Sequence, residues 1–301
     1  MQTVLVTGAS GFTGRYMVDA LLDRGLNVVG VGTHPTLKYQ CIACDLTDQQ
    51  AVIDLVNKVR PDWIVHLAAL SFVGHTDHLA FYNVNVFGTL NLLNAVKKLD
   101  YLPKKILIAS SANIYGTPNL LQIGEDTVPS PVNHYACSKL SMEHMVSNGY
   151  SDLPVIITRP FNYTGPGQDN RFLIPKIVEH FARGDRIIEL GNIDVSRDFS
   201  DVRDLVCAYM LLLESDTSGE IVNVCSGKDT SLRSVIEQMN LIAGYEIDVR
   251  VNPAFVRSNE IPRLCGSYDL LKGLVGWMPS IELTQTLSDM YLYNKDVVNE
   301  N

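Results

Sequence analysis

The chain has 301 residues, of which 46% are hydrophobic and 19% charged, and 24 Lys and Arg against 33 Asp and Glu leave a formal net charge of −9. This length and apolar content allow a large buried core, which argues against disorder and suggests one large domain or two modest ones. The acidic balance argues against a general nucleic-acid binder, because such proteins need a basic surface to displace counterions from phosphates.

The first half of the chain alternates short apolar runs with amphipathic segments. The predicted strands are Thr3–Thr7, Val28–Val31, Tyr39–Ala43, Trp63–Leu67, Lys105–Ala109 and Val155–Thr158. The predicted helices between them are Thr13–Arg24, Gln49–Val59, Ala80–Leu99 and Tyr135–Asn148. Because the strands are apolar throughout and alternate with helices, the pattern predicts an α/β fold with a parallel sheet covered on both faces, the doubly wound Rossmann fold.

After residue 160 the pattern changes, and Asn162–Asn170, rich in Gly and Pro, predicts a loop. The helices predicted beyond it are Ile174–Arg183, Val202–Leu213, Ser231–Ala243 and Leu283–Tyr293, and the strands are Ile187–Leu190 and Ile221–Cys225. We expect residues 1–165, completed by segments near 196–226, to form a cofactor-binding domain. Residues 166–195 and 227–301 are expected to form a smaller substrate-binding lobe.

No apolar stretch approaches the ~18 uninterrupted residues of a transmembrane helix, so no membrane partner is expected. The segment Met1–Val6 has no basic region or cleavage site of a secretory signal, which predicts a cytoplasmic protein. The six cysteines are scattered, and Cys41 and Cys44 form a C-x-x-C with no second Cys or His pair nearby. We therefore expect buried thiols and no metal site.

A glycine-rich turn directly follows the first predicted strand. Residues 3–14 read TVLVTGASGFTG, so Gly8, Gly11 and Gly14 form a G-x-x-G-x-x-G pattern between a strand and a helix. Glycines here permit a tight turn and close approach of the backbone to a pyrophosphate at the helix amino terminus. The context predicts a dinucleotide-binding loop, with an ordinary glycine-rich turn as the alternative.

The end of the second predicted strand bears on the choice of nicotinamide cofactor. A carboxylate there would bind the ribose 2′-hydroxyl of NAD, but the positions hold Gly32, Thr33 and His34. A 2′-phosphate would meet no repulsion there, although no Arg is present to bind it. We expect NADP(H) in preference to NAD(H). Asp45, after the third strand, is expected either at the adenine edge or as a helix N-cap.

A Tyr-x-x-x-Lys pair lies on a predicted helix. Tyr135 and Lys139 are four residues apart and therefore share a helix face. An ammonium beside a phenol stabilises the phenolate and lowers its pKa from about 10, which makes Tyr a usable proton donor or acceptor for a carbonyl. The segment SSANIYG (110–116) ends a predicted strand, and a hydroxyl there could hydrogen-bond the same carbonyl oxygen.

Together these segments resemble the extended short-chain dehydrogenase/reductase family, whose members act mainly on nucleotide sugars. The resemblance spans nearly the whole chain and rests on TGASGFTG, HLAAL (66–70), NVFGTLNLL (85–93), SSANIYG, YACSK (135–139) and RPFNYTGPGQ (159–168). It implies that Ser111, Tyr135 and Lys139 are catalytic, with Ser110 as the weaker candidate serine. His66 is expected to pack at a strand end without a catalytic role.

The same resemblance implies cofactor contacts from the glycine-rich turn and from the ends of the first strands. The expected residues are Gly8, Ser10, Gly11, Phe12, Thr13, Gly14, Thr33, Asp45, Leu46, Leu67, Ala68, Ala69, Asn85, Tyr135 and Lys139. For Asn85, helix packing is the alternative role.

The second half of the chain looks like the GDP-mannose 4,6-dehydratase branch of that family, and is closest to its GDP-4-keto-6-deoxymannose reductases. This likeness rests on VSRDFSDVRDL (195–205), NVCSG (223–227), RSNEIPRLCGS (257–267) and VGWMPSIEL (275–283). It implies a GDP-linked 4-keto-6-deoxy sugar, contacted by Ser71, Ser111, Asn113, Asn162, Lys176, Arg197, Arg257 and Glu260. Arg197 and Arg257 would neutralise the diphosphate through their forked donors, with surface ion pairs as the alternative, and Glu260 would bind the nucleotide ribose.

Asn113 bears on the kind of reaction. In the 4,6-dehydratases of this branch an acidic residue follows two positions after the catalytic Thr, whereas here Ser111 is followed by Ala112 and Asn113. An amide has no useful basicity, so elimination of water loses its base. The resemblance therefore implies reduction of the C4 ketone of GDP-4-keto-6-deoxy-D-mannose to GDP-6-deoxy-D-mannose (GDP-D-rhamnose), for surface polysaccharide synthesis in a bacterial host.

Other reactions stay open at this point. The C4 epimer GDP-6-deoxy-D-talose and a GDP-4-keto-6-deoxy-heptose substrate fit the same motifs, because variable residues such as 70–75 and Ile114 build the sugar pocket. A 4,6-dehydratase, a 4-epimerase and a noncatalytic cofactor-binding relative are lower alternatives.

Relatives in the family pair two long helices from each subunit, which here correspond to Ala80–Leu99 and Tyr135–Asn148. This resemblance implies a homodimer, with a tetramer as the alternative. The apolar positions on the first helix could equally belong to the core; they are Val84, Phe87, Leu92 and Val96.

Overall fold

The computed structural model describes residues 1–32, 38–255 and 261–299. Its strands are β1 (Thr3–Thr7), β2 (Asn27–Val31), β3 (Gln40–Ile42), β4 (Trp63–His66), β5 (Lys105–Ala109), β6 (Val155–Pro160), β7 (Asn162–Thr164), β8 (Ile187–Leu190), β9 (Ser196–Asp201), β10 (Ile221–Val224), β11 (Asp229–Ser231), β12 (Asp248–Val251) and β13 (Arg263–Leu264). Its helices are α1 (Phe12–Asp23), α2 (Gln49–Val59), α3 (His78–Tyr82), α4 (Thr89–Lys97), α5 (His134–Gly149), α6 (Leu173–Arg183), α7 (Val202–Glu214), α8 (Leu232–Ala243), α9 (Asp269–Val275) and α10 (Leu283–Asn299).

Seven strands form one parallel sheet in the order β10–β6–β5–β4–β1–β2–β3. The chain winds outward from β1 in one direction through β2 and β3, and in the other through β4, β5 and β6. This order confirms the doubly wound fold, and β10 completes the sheet from the later part of the chain. In such sheets ligands bind at the carboxyl ends of the strands, beside the point where the order reverses.

Two apolar layers fix the sheet between helices. On one face α1 and α7 bury Met17 and Leu205 against β1 and β6, and on the other α2, α4 and α5 bury Val56, Leu92 and Met142. Each side chain of this size contributes ~1.5–3 kcal/mol when it is fully buried. The layers hold the carboxyl ends of β1, β4 and β5 rigidly beside one another.

The helix expected over Ala80–Leu99 consists of α3, a π-helical turn at Asn83–Gly88 and α4 in succession. Such turns occur frequently at functional sites, and this one contains Asn85. Two of the apolar positions on this segment, Leu92 and Val96, belong to the core, Val84 is half-buried, and Phe87 is 57% exposed.

The later part of the chain folds around β9, which the sequence pattern did not predict. β9 pairs with β7, β11 and β13. The loop expected over Asn162–Asn170 was therefore wrong at its start, because β7 lies there and pairs with β9. The separate strands β8 and β12 pair with each other, and α6, α8 and α10 pack into one apolar cluster with Phe181, Val235 and Leu287.

The acidic residues of the RDFSDVRD segment explain why β9 was missed. Asp198 is buried and accepts hydrogen bonds from the Ser226, Gly227 and Gly266 amides at 2.7, 2.9 and 3.3 Å. Its carboxylate therefore ties three backbone segments together, so a charge that suggests an exposed loop in the sequence is structural here. Burial raises the pKa of Asp198 to about 6, although these hydrogen bonds oppose the shift.

Within the described ranges, no helix combines the length and the apolar character needed to span a membrane. All six cysteines are described and remain thiols. Only Cys225 and Cys265 are buried, so the expectation of burial was wrong for Cys41 and Cys44, which are half-buried in and just after the edge strand β3.

Candidate active site

The turn between β1 and α1 leaves no room for side chains at its glycines. Gly8 has φ +71°, and a Cβ there would lie 2.9 Å from the Ala68 amide nitrogen. At Gly14 a Cβ would lie 2.1 Å from the carbonyl oxygen of Gly8. Both contacts are far inside van der Waals distance, so this sequence folds into this turn only with glycines at the two positions.

Helix α1 begins in a way that suits an anion. Its N-cap is Gly11, and no side chain caps the helix. The first amide groups of a helix carry a partial positive charge and lack intrahelical partners, and they bind phosphate groups where no side chain takes their place. The predicted pyrophosphate of a dinucleotide therefore fits the cradle formed by Gly8, Gly11 and Gly14, with Ser10, Phe12 and Thr13 between them.

The adenosine end of the predicted cofactor site is partly described. Thr33 lies outside the described residues. Asp45 is exposed and accepts hydrogen bonds from the Thr47 amide and hydroxyl at 2.9 and 2.8 Å. The N-cap of α2 is Asp48, so the N-cap alternative for Asp45 was wrong. Leu46, next to Asp45, is buried.

The segment that follows β4 is held in place by Asn85. Its side-chain oxygen accepts from the Leu70 amide at 2.9 Å, and its side-chain nitrogen donates to the Leu70 carbonyl at 3.1 Å and to the Ser138 hydroxyl at 3.0 Å. Asn85 thus joins the segment Leu67–Ala69, through its neighbour Leu70, to the helix that carries Tyr135. Among the described residues, Asn85 therefore has the structural role that was expected as the alternative to cofactor binding.

His66 has a structural place, as expected. Its two ring nitrogens hydrogen-bond the hydroxyls of Thr7 and Thr89 at 2.7 and 2.8 Å. Burial, together with the Lys139 ammonium, lowers the pKa of His66 to about 3, so the ring is neutral. It links the ends of β1 and β4 to α4.

Ser111, Tyr135 and Lys139 come together at the carboxyl end of β5, and all three are buried. Ser111 begins a short 3₁₀ turn and accepts the Asn113 amide at 3.2 Å, which fixes its hydroxyl beside that of Tyr135. The Lys139 ammonium donates to the Ala109 carbonyl at 2.7 Å. Ser110 is also buried, and its hydroxyl has no hydrogen-bond partner among the described residues.

The protonation of this cluster differs from the sequence-based expectation. Burial raises the pKa of Tyr135 to about 12, and the hydrogen bond from Ser111 opposes this only in part. Burial also lowers the pKa of Lys139 to about 8. The expected lowering of the Tyr135 pKa was wrong, because the loss of solvent on burial favours the neutral phenol and outweighs the opposing hydrogen bond from Ser111. Tyr135 is therefore a phenol at neutral pH, and a proton donor.

The residues expected on the substrate side differ in their exposure and in their partners. Ser71 and Asn162 are exposed and Asn113 is half-buried. Lys176 donates to the Glu189 carbonyl at 3.0 Å and lies over the Phe255 ring, 4.7 Å from its centroid. Arg197 donates to the Ser196 carbonyl at 2.9 Å. Arg257 and Glu260 lie outside the described residues.

Tyr163 is a site residue that sequence reasoning missed. Its hydroxyl hydrogen-bonds that of Thr13 at 2.8 Å, and its ring stacks on Phe12 with centroids 6.2 Å apart. It therefore joins the glycine-rich turn to β7, which carries Asn162. The sequence feature that could have indicated this residue is the tyrosine directly after Asn162 in RPFNYTG. Its contact with α1 depends on the position of β7, which pairs with β9.

We expect Tyr163→Phe to weaken cofactor binding without abolishing it. Loss of one hydroxyl contact costs ~0.5–1.5 kcal/mol, which corresponds to a roughly 2–10-fold rise in the Kd of NADPH, since Thr13 loses its hydrogen bond while the ring stacked on Phe12 is kept. Fluorescence titration measures this. Tyr150→Phe is the matched control, because its hydroxyl bonds Asn94 at 2.8 Å away from the turn; equal effects of both variants would remove Tyr163 from the cofactor site.

Comparison with known proteins identifies a sequence family and relatives that match most of the chain. A sequence model described as GDP-mannose 4,6 dehydratase matches residues 5–290. The chain is 36% identical over 274 residues to a GDP-6-deoxy-D-talose 4-dehydrogenase of Aggregatibacter actinomycetemcomitans, with 91% of each protein covered. It is 35% identical over 300 residues to a GDP-6-deoxy-D-mannose reductase of Pseudomonas aeruginosa, with 95% of each covered.

Solved structures share the whole fold. RMD from Pseudomonas aeruginosa, complexed with NADPH, matches with a TM-score of 0.86 at 32% identity over 99% of this chain and 100% of that one. A structure from Burkholderia cenocepacia J2315, provisionally described as an epimerase, matches with a TM-score of 0.92 at 44% identity over 98% of both chains.

Proposed function

The chain belongs to the GDP-mannose 4,6-dehydratase family and is an NAD(P)-dependent oxidoreductase; from this premise we propose that it reduces the C4 ketone of GDP-4-keto-6-deoxy-D-mannose to GDP-6-deoxy-D-mannose. The observation that carries the proposal is the cluster of Ser111, Tyr135 and Lys139, buried together and with Tyr135 in its protonated form. A ketone reductase needs a positioned proton donor and an oxygen-binding hydroxyl, and this cluster supplies both.

Each residue of the cluster has a separate role in the proposed reduction. A reduced nicotinamide, when bound, supplies the hydride. Ser111 donates a hydrogen bond to the ketone oxygen and orients it, and Tyr135 donates the proton that converts the oxygen to a hydroxyl. The Lys139 ammonium stabilises the Tyr135 phenolate that is left behind. The proton donor is therefore present at neutral pH without an external acid.

Asn113 supports reduction over elimination. Dehydration across C5 and C6 requires removal of a proton from C5, and the Asn113 amide cannot accept one. Asn113 lies two residues from Ser111 on the same 3₁₀ turn, so it borders the place where the sugar would lie. A dehydratase would need a carboxylate at this point.

We propose NADP(H) as the preferred cofactor and NAD(H) as the alternative. The cradle of Gly8, Gly11 and Gly14 would hold the pyrophosphate, and the segment Leu67–Ala69 would line the cofactor beyond it. No acid follows β2 to repel a 2′-phosphate. The NADPH complex of RMD supports the same choice.

The division of the chain belongs to this proposal. Residues 1–165 with segments near 196–226 would bind the cofactor, and residues 166–195 and 227–301 would bind the GDP-sugar. On the substrate side, Asn162 would hold the diphosphate side of the ligand, Arg197 and Arg257 would neutralise the diphosphate, and Glu260 would bind the ribose. Ser71 and Lys176 would contact the remainder of the ligand.

A second product is favoured by a specific observation. The relative from Aggregatibacter is named for GDP-6-deoxy-D-talose, and its identity to this chain is nearly the same as that of the mannose reductase. The two products differ only in the face of C4 that receives the hydride. The orientation of the sugar above Ser111 and Tyr135 decides between them.

Assembly and cellular place are also proposed. A homodimer through α3 to α5 would cover Leu79, Phe87 and Met145, which are 66%, 57% and 50% exposed. We place the reaction in the cytoplasm, where its product would serve surface polysaccharide synthesis.

A cofactor oxidation assay tests the proposed reaction. GDP-4-keto-6-deoxy-D-mannose is made in situ by a separate dehydratase, and oxidation of NADPH and of NADH is followed with GDP-mannose alone as the control. We expect oxidation only with the keto-sugar and faster with NADPH, and NMR of the product then distinguishes the rhamno from the talo configuration. Confirmed NADPH binding without oxidation would contradict the proposed reaction.

A further inference from the structure

Three ionisable residues lie in a row along one face of α5. Tyr135, Lys139 and Glu143 are spaced by four residues, which places them one above another on the helix. All three are buried, and Glu143 is only 2% exposed. A buried carboxylate one turn from Lys139 is costly unless a cation compensates it.

Arg159 on β6 is that cation. Its Nη2 donates to Glu143 Oε2 at 2.7 Å, and its Nε donates to both carboxylate oxygens at 3.1 and 3.2 Å. The remaining Nη1 donates to the Tyr115 hydroxyl at 2.9 Å and to the Glu125 carbonyl at 3.2 Å. Every side of the guanidinium is therefore used, and the fork cannot swing away from Glu143.

Further hydrogen bonds hold Arg159 on the side of the guanidinium that faces away from Glu143. The Tyr115 hydroxyl donates to Asn223 Oδ1 at 2.8 Å, and the backbone amide of Asn223 donates to the Glu125 carboxylate at 2.8 Å. Tyr115 also belongs to the turn that begins at Ser111. The ion pair is thus part of the frame of the candidate active site, yet it makes no contact that the proposed reaction itself requires.

The charges around Lys139 come from few groups. On α5 they are Tyr135, a neutral phenol, and Glu143; from β4 the neutral His66 ring faces it; and β6 supplies Arg159 beyond Glu143. Glu125 lies behind Arg159. Glu143 is therefore the anion that acts on Lys139, and Arg159 decides how much of its charge Lys139 experiences.

We propose that Arg159 and Glu143 are positioning residues for the proposed reduction, because their ion pair balances the charge next to Lys139 and so sets the pH range in which Lys139 stays protonated. The inference rests on the proposed function for its kinetic consequence. Since the Lys139 cation stabilises the Tyr135 phenolate, the rate of reduction falls at high pH as Lys139 loses its proton. The ion pair then sets the pH at which this fall occurs, which is the position of the alkaline limb of the pH–rate profile.

Two single substitutions act on the ion pair with opposite sign. Glu143→Gln leaves the Arg159 cation uncompensated near Lys139, which favours the neutral amine and moves the alkaline limb to lower pH. Arg159→Met leaves the Glu143 carboxylate uncompensated, which favours the ammonium and moves the limb to higher pH. Shifts of roughly one pH unit are expected for a charge about one helical turn away.

The double variant Glu143→Gln/Arg159→Met keeps the inference testable if a single variant fails to fold. It removes both charges, so no buried ion is left unpaired, and the limb is expected within a few tenths of a pH unit of the wild-type position. Asp152→Asn is the control, because Asp152 pairs with Lys97 at 2.8 Å on the surface. That variant is expected to leave the limb unchanged.

Two readouts separate this inference from the proposed function. The first is the pH profile of kcat/KM for keto-sugar reduction, and the second is an NMR titration of ¹³C-labelled lysine, with the Lys139 signal assigned by its loss in Lys139→Met. The titration needs no substrate, so it decides the inference even if the wild-type protein does not reduce the keto-sugar. Opposite shifts in the single variants support the role, as does a shift of the expected sign in the one single variant that folds, provided that the double variant loses that shift. Shifts in one direction, no shift in a folded single variant, or a double variant shifted as far as a single variant overturn it.

Discussion

Replacing Tyr135 by Phe is expected to lower kcat for keto-sugar reduction by about 10²–10⁴-fold, the range that a positioned general acid contributes. The substitution removes only the phenol oxygen, so the ring still fills its buried place. The Ser111 hydroxyl would still bind the ketone oxygen, but no phenol would be present to donate a proton to that oxygen. Because Tyr135 is not part of the glycine-rich cradle, the Kd of NADPH should change by less than about 3-fold.

Steady-state kinetics with both cofactors and fluorescence titration of NADPH measure the two effects separately. Tyr209→Phe is a matched control, since Tyr209 is also buried and its hydroxyl accepts from the Thr158 hydroxyl, at 3.0 Å, inside the core. That variant should retain nearly full activity. Near-normal turnover in Tyr135→Phe would remove Tyr135 from the mechanism.

Gly14→Ala is expected to weaken cofactor binding strongly, because the added methyl group meets the backbone of the glycine-rich turn. Its Cβ would lie 2.1 Å from the Gly8 carbonyl oxygen and 2.8 Å from two backbone atoms of Ala9, and backbone cannot rotate away as a side chain can. The turn must open, which costs ~1–3 kcal/mol in overpacked sites of this kind. Where the NADPH-bound conformation of the turn bears this free-energy cost, the Kd of NADPH rises roughly 5–150-fold.

Gly273→Ala provides the comparison, because Gly273 also lies in a helix, α9, and a Cβ there meets nothing within 4 Å. It should raise the stability slightly, by up to ~1 kcal/mol from the better helix propensity of Ala. Thermal unfolding and NADPH titration of both variants test the pair. Wild-type affinity and Tm in Gly14→Ala would show that the turn is not the close-packed cradle described above.

The parts of the fold that the sequence predicted are those in which one physical signal dominates. Strands β1, β4 and β5 are continuous apolar runs between helical segments, so their ends were placed within about one residue, and the parallel sheet followed from their alternation with helices. Strand β9 was missed because Asp198 and Asp201 lie in it. Asp198 accepts hydrogen bonds from the backbone amides of Ser226 and Gly227, and Asp201 accepts one from the Thr286 hydroxyl at 2.7 Å; no local pattern reveals these distant partners.

In the candidate site, too, the features set by the local sequence were predicted and the features set by the rest of the fold were not. The closeness of Tyr135 and Lys139 followed from helix spacing, which is local geometry, whereas the choice of Ser111 as their partner followed from the family resemblance. The protonation of Tyr135 did not, because it depends on how much of the ring the rest of the fold covers. Tyr163 and Arg159 were missed as site residues for a related reason: their partners, Thr13 and Glu143, are 150 and 16 residues away along the chain.

The most direct measurement is to supply NADPH deuterated at C4 of the nicotinamide ring, on either face in turn, and to locate the deuterium in the sugar product by NMR. A reductase transfers deuterium from one of the two labelled forms to C4 of the 6-deoxy sugar, with one NADPH consumed for each product formed. A dehydratase or an epimerase returns its hydride to the same sugar and consumes no added cofactor. Product that forms without deuterium at C4 from both labelled forms of NADPH would contradict the assignment of this chain as a C4-ketone reductase.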